Sequence, residues 1–364
     1  MHTRNIPTSE AVPGMIVSED IYGLQDYLII PAQSELTNHS ITRLKFYAIH
    51  EISIIVDEQG EPEHSNLGEF LTDSYSEYIK KTAEFKKFSA SFADVTDDLK
   101  SKIATLNNKL KAPIATDELL QDMQNILSET RNGTHVVHML HCMRDNDDET
   151  FAHAVSVALL CNVFGHWLRY SEEDIKVLTL CGLLHDVGKM LIPSAIISKP
   201  ARLSNMEFDI VKSHTAAGYN LLADQNLDER VKNTVLMHHE RRDGSGYPNG
   251  LKEAEIEDFA QIVAIVDVYE AMTSPRAYRR ANCPFDAMSI FEQEGFEKFN
   301  PVFLLTFLEG MANTYINCTV RLNDDRLGEI IMIDAQHITR PVVKVDNTFI
   351  DLNKNKQLSI LEIV

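Results

Sequence analysis

Histidine and aspartate residues of the types that bind divalent metal ions recur through the middle of this 364-residue chain. Two adjacent pairs, His185-Asp186 and His238-His239, lie beside apolar helical sequence in which an unpaired charge would be costly to bury. Imidazole and carboxylate groups bind divalent cations, and one carboxylate can bridge two of them. The full set of candidate ligands is Glu149, His153, His185, Asp186, His214, His238, His239 and Asp267.

This set contains too many ligands for a single ion and therefore predicts a multi-metal centre. Neighbouring residues on a helix point about 100° apart, so each adjacent pair serves two ions more naturally than one. Asp186 is the best candidate for the bridging carboxylate. The set contains no thiolate, which favours iron or manganese, with zinc as another option. Two ions about 3.5–4 Å apart, bridged by a carboxylate and a hydroxide, are suited to hydrolysis of a phosphate ester.

Four further side chains could meet a phosphate ester beside such a centre. Lys189 lies about one helical turn after Asp186 and could stabilise developing charge or protonate the leaving group. Arg276 and Arg279 are three residues apart, so they would face a phosphodiester together. Tyr247, in a glycine-rich loop, could pack on a base or hydrogen-bond to a phosphate. The alternative is that the lysine and the arginines are ordinary solvated surface residues.

The composition limits the class of partner. The net charge is −20, which argues against a nucleic-acid polymer or an anionic membrane. The longest apolar runs are too short to span a bilayer. The five cysteines are scattered and form no CxxC pair, and a signal peptide is missing, so we expect a cytoplasmic protein.

Helices must position the candidate ligands, and the sequence predicts where several of them lie. Glu149 and His153 are one helical turn apart, so their side chains share a helix face. Ser171, followed by three acidic residues, predicts the N-cap of the helix that delivers the His185-Asp186 pair. Asp267 interrupts an apolar run, which predicts a carboxylate inside a buried segment.

A second group of histidines, His135, His138 and His141, also recurs at helical spacing. No carboxylate falls in step with this group. The first and third members are six residues apart, which is a poor angular match around a helix. We therefore interpret all three as core or surface residues.

We predict a mainly α protein with four regions. These are a small α+β module over residues 1–66, a long helical linker over 67–112, an all-helical catalytic domain over 113–314 and a small β-rich appendage over 315–364. In the linker, apolar residues from Phe85 to Leu110 form one stripe close to a heptad repeat. The stripe fits a helix packed within its own domain and a homodimer seam equally well.

Three ordered motifs resemble those of a known family. The segment His185–Lys189, followed by Ile192-Pro193, resembles the signature of HD-type phosphohydrolases. The segment His238–Leu251 resembles the hallmark of the HD-GYP subfamily nearly letter for letter, and Asp267–Arg279 is similar to its third block. The resemblance covers roughly residues 115–313.

The resemblance implies an HD-type catalytic domain with a di- or tri-metal centre of iron, alternatively manganese. The implied reaction is hydrolysis of cyclic di-GMP to linear pGpG, and often on to GMP, in bacterial signalling. The implied metal ligands are His153, His185, Asp186, His214, His238, His239 and Asp267, and the positions implicated in substrate binding or catalysis are Lys189, Tyr247, Arg276 and Arg279. Glu149 resembles the branch of the family that holds a third metal ion.

Two alternatives stay open at this point. One is hydrolysis of another nucleotide, such as cyclic GMP-AMP, because neither the loop nor the arginine pair distinguishes guanine from adenine. The other is a binding or interaction module that contacts signalling proteins. The complete ligand set favours an enzyme over a module that has lost its chemistry.

Overall fold

In a computed structural model, the chain forms two compact units, Met1–Asp73 and Ser74–Val364. The structure describes residues 2–12, 14–22, 28–30, 32–34, 36, 40–41, 44, 49–57, 79–106, 113–143, 149–199, 201–274, 281–346 and 348–364. Within these ranges Leu28, Ile29, Leu106 and Glu149 are described by their backbone alone.

The first unit contains two antiparallel strand pairs. Strand β1 (His2–Pro7) pairs with β4 (Glu51–Val56), and β2 (Ile21–Tyr22) pairs with β3 (Leu28–Ile30). Apolar side chains that include Val17, Leu36 and Ile54 form its core. The strands of the predicted α+β module over residues 1–66 lie here, and residues 58–66 fall outside the described residues.

The second unit is helical up to residue 314. Its α-helices are α1 (Ala83–Leu106), α2 (Thr116–Ser128), α3 (Gly133–Cys142), α4 (Glu149–Trp167), α5 (Glu172–Leu184), α6 (Ser194–Ile197), α7 (Asn205–Lys212), α8 (His214–Leu222), α9 (Glu229–Met237), α10 (Asp258–Thr273), α11 (Pro284–Ile290), α12 (Phe296–Lys298) and α13 (Pro301–Thr314). Short 3-10 turns lie at Val187–Leu191 and Glu253–Glu255, and a π-helical turn lies at Phe291–Gly295. Among the described helices, none combines the length and the apolar character that a bilayer span requires.

Helices α4 and α10 lie in the centre of this unit because both are apolar on nearly all sides. Val155 and Leu159 in α4, and Ile262 and Val266 in α10, are fully buried. A helix that is apolar all round is stable only inside a core. Helix α5 packs against α4 and begins at Ser171, whose hydroxyl oxygen accepts a hydrogen bond from the Asp174 amide, as the sequence predicts for an N-cap.

The apolar stripe of the predicted linker is buried inside the second unit. Phe88, Phe92 and Leu99 are each at most 5% exposed, and α1 contacts α2 and α4. This agrees with the interpretation of a helix packed within its own domain. A homodimer stays a prediction.

The chain ends in a five-stranded antiparallel sheet. Its strands are β5 (Thr319–Leu322), β6 (Leu327–Asp334), β7 (His337–Val345), β8 (Thr348–Asp351) and β9 (Ile360–Ile363), in the order β8-β7-β6-β5-β9. Its inner face, which includes Val320, Ile330 and Val343, joins the helical core. This sheet agrees with the β-rich region predicted after residue 315, and the mainly α fold with small β regions at both ends is confirmed.

Candidate metal centre

Five helices bring the candidate ligands to one place. Helix α4 carries His153, and α8 begins at His214. The two adjacent pairs lie directly after helix ends, His185-Asp186 after α5 and His238-His239 after α9. Asp267 projects from the buried middle of α10. His185 and His238 keep helical backbone angles, so each pair reaches the centre from the C-terminal end of its helix.

The ligand atoms form two tight groups that share one residue. One group consists of Asp186, His214, His238 and His239, and the other consists of His153, His185 and Asp186. Within each group all the ligand atoms lie within 4.8 Å of one another. Asp186 therefore occupies the position that a bridging carboxylate requires, because each of its two oxygens faces a different set of imidazoles.

Three imidazole rings have a fixed orientation. The Nδ1 atom of His185 lies 2.7 Å from the Gly182 carbonyl oxygen, and Nδ1 of His214 lies 2.6 Å from that of Val211. Nδ1 of His238 lies 3.1 Å from the Thr234 carbonyl. A carbonyl can only accept, so each Nδ1 must carry the hydrogen. The neutral form of each ring then presents a lone pair at Nε2.

These Nε2 lone pairs converge on Asp186. His214 Nε2 and His238 Nε2 lie 3.3 Å and 3.7 Å from Asp186 Oδ1, and His185 Nε2 lies 3.3 Å from Oδ2. His185 Nε2 and Asp186 Oδ1 are buried and have no hydrogen-bond partner among the residues that the structure describes. Lone pairs that face a carboxylate repel it unless a cation lies between them. The donor set therefore fits a divalent metal ion.

The pKa values of the histidines agree with this requirement. Burial lowers the pKa of His238 to about 4. Burial, together with the neighbouring His238, holds the pKa of His239 well below its usual range. Both rings are therefore neutral near pH 7, which is the form that binds a metal.

His153 and Asp267 contact each other at the other side of the centre. His153 Nε2 lies 3.1 Å from Asp267 Oδ1, and His239 Nδ1 lies 4.0 Å from Asp267 Oδ2. Burial lowers the pKa of His153, but the charge of Glu270 and the hydrogen bond to Asp267 outweigh it and raise the pKa to about 10. In the metal-free protein a proton therefore occupies His153 Nε2, at a position that a bound cation would take.

Lys189 faces the same centre, as its spacing from Asp186 predicts. Its ammonium group contacts Asp186 Oδ2, and its side chain is about one-quarter exposed. Burial raises the pKa of Asp186, but the charges of Lys189 and His185 outweigh this effect and hold the pKa well below its usual range. The turn that carries Lys189 packs directly on α8, because a Cβ atom at Gly188 would lie 1.9 Å from the His214 carbonyl oxygen.

The glycine-rich loop places Tyr247 beside the centre. The Tyr247 ring is half-buried, and its centroid lies 4.7 Å from that of His239. The loop is held by the buried carboxylate of Glu240, which accepts hydrogen bonds from the amides of Asn249 (2.7 Å) and Leu251 (3.0 Å). A Cβ atom at Gly246 would lie 2.4 Å from Glu240 Cα, so only glycine allows this close approach.

A cavity of about 830 Å³ opens beside the metal-ligand groups. His153, Lys189 and Glu270 lie in its wall, with Lys199, Arg202 and Phe208 elsewhere in its lining. This volume is within the range of about 300–1,000 Å³ that is typical of small-molecule sites. Three of the lining side chains are cationic, in a protein whose overall charge is strongly negative.

The structure places some predicted site residues and leaves others outside its description. His153, His185, Asp186, His214, His238, His239 and Asp267 meet at one centre, and Lys189 and Tyr247 lie beside it. Glu149 begins α4, but its side chain lies outside the described residues, as do Arg276 and Arg279.

Two carboxylates of the site, Glu270 and Glu240, are not among the site residues predicted from the sequence. Glu270 contacts His153 Nδ1, and Glu240 holds the glycine-rich loop. The spacing of Glu270 from Asp267, three residues on one helix, offers a sequence signal. Glu240 has no comparable signal beyond its position next to His239.

Comparisons with known proteins agree with this geometry. Residues 138–302 match the HD domain family. The cyclic di-GMP phosphodiesterase PA4108 of Pseudomonas aeruginosa is 33% identical over 205 residues, which cover 56% of this chain and 49% of that protein. The 3'3'-cGAMP-specific phosphodiesterase 2 of Vibrio cholerae is 34% identical over 146 residues, covering 40% of this chain and 28% of that protein.

A solved structure supports the fold. The HDG"Y"P protein Bd1817 from Bdellovibrio bacteriovorus superposes with a TM-score of 0.51 and 16% identity, covering 84% of this chain and 98% of that one. The chain spans about half the length of the cyclic di-GMP phosphodiesterases that it matches. Residues 138–302 are therefore similar to the HD domain family, and the relatives named above are phosphodiesterases of cyclic dinucleotides.

Proposed function

We propose that this chain is a cytoplasmic, metal-dependent phosphodiesterase that hydrolyses cyclic di-GMP to linear pGpG and onward to GMP. The observation that carries the proposal is the convergence of imidazole lone pairs on Asp186, beside an 830 Å³ cavity whose wall includes His153 and Lys189. The names of the relatives support a cyclic dinucleotide as the substrate.

Different residues of the chain would bind the metal ions and the substrate. Bound divalent cations would lower the pKa of water and neutralise phosphate oxygens. Asp186 and the surrounding histidines hold these ions, with iron, alternatively manganese, as the proposed metals. Lys189 lies where it can stabilise charge on the phosphate or donate a proton to the leaving oxygen. Arg276, Arg279 and Tyr247 are the proposed substrate contacts.

The charge of the cavity supports an anionic substrate. Lys189, Lys199 and Arg202 line it, although the whole chain carries a net charge of −20. A local group of cations in an acidic protein attracts a phosphodiester and excludes a long polyanion, because the wider surface repels the polymer.

Anaerobic purification with Fe²⁺ or Mn²⁺, followed by chromatography of the products, tests the proposal. We expect metal-loaded protein to convert cyclic di-GMP to pGpG and then GMP, with at least two ions per chain. The variant Asp186→Asn should lose both activity and metal. The matched control Asp258→Asn, at an exposed position in the first turn of α10, should retain both. Metal-loaded protein that leaves cyclic di-GMP intact would overturn the assignment.

A cyclic GMP-AMP is the second candidate substrate. The similarity to a 3'3'-cGAMP-specific enzyme, at 34% identity over 146 residues, favours it. The same assay with equal concentrations of both dinucleotides decides between them. Cleavage of the mixed dinucleotide alone would replace the first proposal with the second. If neither is cut, a binding or interaction module, acting through signalling proteins, becomes the better explanation.

A further inference from the structure

The histidines of the metal centre differ in the group that contacts Nδ1, the ring nitrogen that faces away from Asp186. His185, His214 and His238 are each fixed through Nδ1 by a backbone carbonyl. His153 is fixed through Nδ1 by a carboxylate oxygen, Oε2 of Glu270. Ligand histidines usually donate this second N–H to a carbonyl or a carboxylate, and a carboxylate makes the ring a stronger ligand.

The carboxylate of Glu270 is itself fixed. It lies on α10 three residues after Asp267, and the residue is 8% exposed. Its second oxygen, Oε1, accepts a hydrogen bond of 2.6 Å from the Ser274 hydroxyl. Because one oxygen is held by Ser274 and the other contacts His153, the side chain has one orientation available in the folded protein. Glu270 therefore contacts the outer edge of the His153 ring, on the side away from Asp186.

We propose that Glu270 is a positioning residue for His153. It turns the ring so that Nε2 faces Asp186 and Asp267, and its negative charge strengthens the ring as a metal ligand. The effect is specific to one ion. His153 belongs to the group with His185 and Asp186 and not to the group with His214, His238 and His239. Loss of Glu270 should weaken the ion of the first group and spare the ion of the second.

The inference rests on the proposed metal centre, and metal titration tests it without a measurement of activity. Chelator-treated protein is titrated with Mn²⁺ in a buffered series, and bound metal is counted by mass spectrometry. For Glu270→Ala we expect one class of site to show a 10–100-fold higher Kd than in the wild type, while the other class keeps its wild-type Kd. Glu270→Gln retains an acceptor for Nδ1 without the charge and should fall between Glu270→Ala and the wild type.

The control is Glu257→Gln, the same change at the residue before α10, which should bind metal like the wild type. Wild-type Kd values for both classes in Glu270→Ala would overturn the inference. An equal loss in both classes would also overturn it, because it indicates a general structural role. If Glu270→Ala does not fold, Glu270→Gln decides by the same criteria. Wild-type protein that binds fewer than two ions would instead overturn the proposed function.

Discussion

Gly188 packs against the backbone of His214 and Gly218 more closely than a residue with a side chain could. Replacing Gly188 tests whether this contact positions the proposed ligand His214. An added Cβ atom would lie 1.9 Å from the His214 carbonyl oxygen, 2.9 Å from its carbonyl carbon and 2.6 Å from the Gly218 amide nitrogen. Non-bonded carbon contacts are favourable at about 3.5–4.0 Å, so Gly188→Ala requires a shift of more than 1 Å between two backbone segments.

The neighbours of this contact are backbone atoms, which cannot rotate away. Overpacking a core typically costs about 1–3 kcal/mol, and we expect Gly188→Ala to reach the upper end, about 3 kcal/mol. Typical total stabilities are about 5–15 kcal/mol, so this is a large fraction. The shift would also move His214, a proposed ligand, relative to Asp186. Weaker metal binding should therefore accompany the lower stability.

Urea denaturation of the metal-free protein and a count of bound metal after reloading measure the two effects. Gly218→Ala is a milder change at the same contact, because its Cβ atom would lie 2.8 Å from a side-chain methyl of Val235 and 3.0 Å from the Gly188 amide nitrogen. We expect it to cost about 1 kcal/mol. If Gly188→Ala shows wild-type stability and wild-type metal content, the close packing of this turn on α8 does not position the ligand.

Three further predictions concern single side chains. Lys189→Met should lower kcat about 100-fold or more at unchanged metal content, because it removes the proposed proton donor and keeps the apolar part of the side chain. Steady-state kinetics together with metal analysis would check this. Glu240→Gln should raise KM and speed hydrogen exchange of the backbone amides in the glycine-rich loop. The reason is that the glutamine side chain offers one acceptor oxygen where the carboxylate offers two. Unchanged exchange would contradict the role of Glu240. Burial lowers the pKa of His138 to about 4, so below about pH 6.5 the unfolded chain binds a proton that the folded chain does not. Stability should therefore fall between pH 7 and pH 5 by about 2 kcal/mol more than in His138→Gln, when metal-free proteins are compared by urea denaturation.

Several elements could be predicted because their signals are local. The strand at 319–322 alternates in polarity, and the N-cap at Ser171 lies within three residues of the amide that it satisfies. The histidine and aspartate candidates could be collected because buried charge is rare in apolar sequence and because ordered motifs resemble a known family. The role of Asp186 as a bridge stays a prediction, made because the candidate ligands are too many for a single ion.

Other features depend on contacts between distant residues. Glu270 and His153 are 117 residues apart, so no local pattern joins them. The stripe that begins at Phe85 is compatible with an internal helix and with a dimer seam, and the burial of Phe88 and Leu99 against α2 and α4 favours the internal helix. Periodicity shows that one face of a helix is apolar but does not show what covers it.

The sequence by itself determined the types of residue at the centre, their order along the chain and the helices that carry most of them. The tertiary structure decided the grouping into two sets around Asp186, the direction of each ring nitrogen and the cavity beside them. The reason is physical. Ligand identity is a property of single residues, whereas the direction of a lone pair is fixed by a hydrogen bond on the other side of the ring, and a cavity exists only where packed helices leave space.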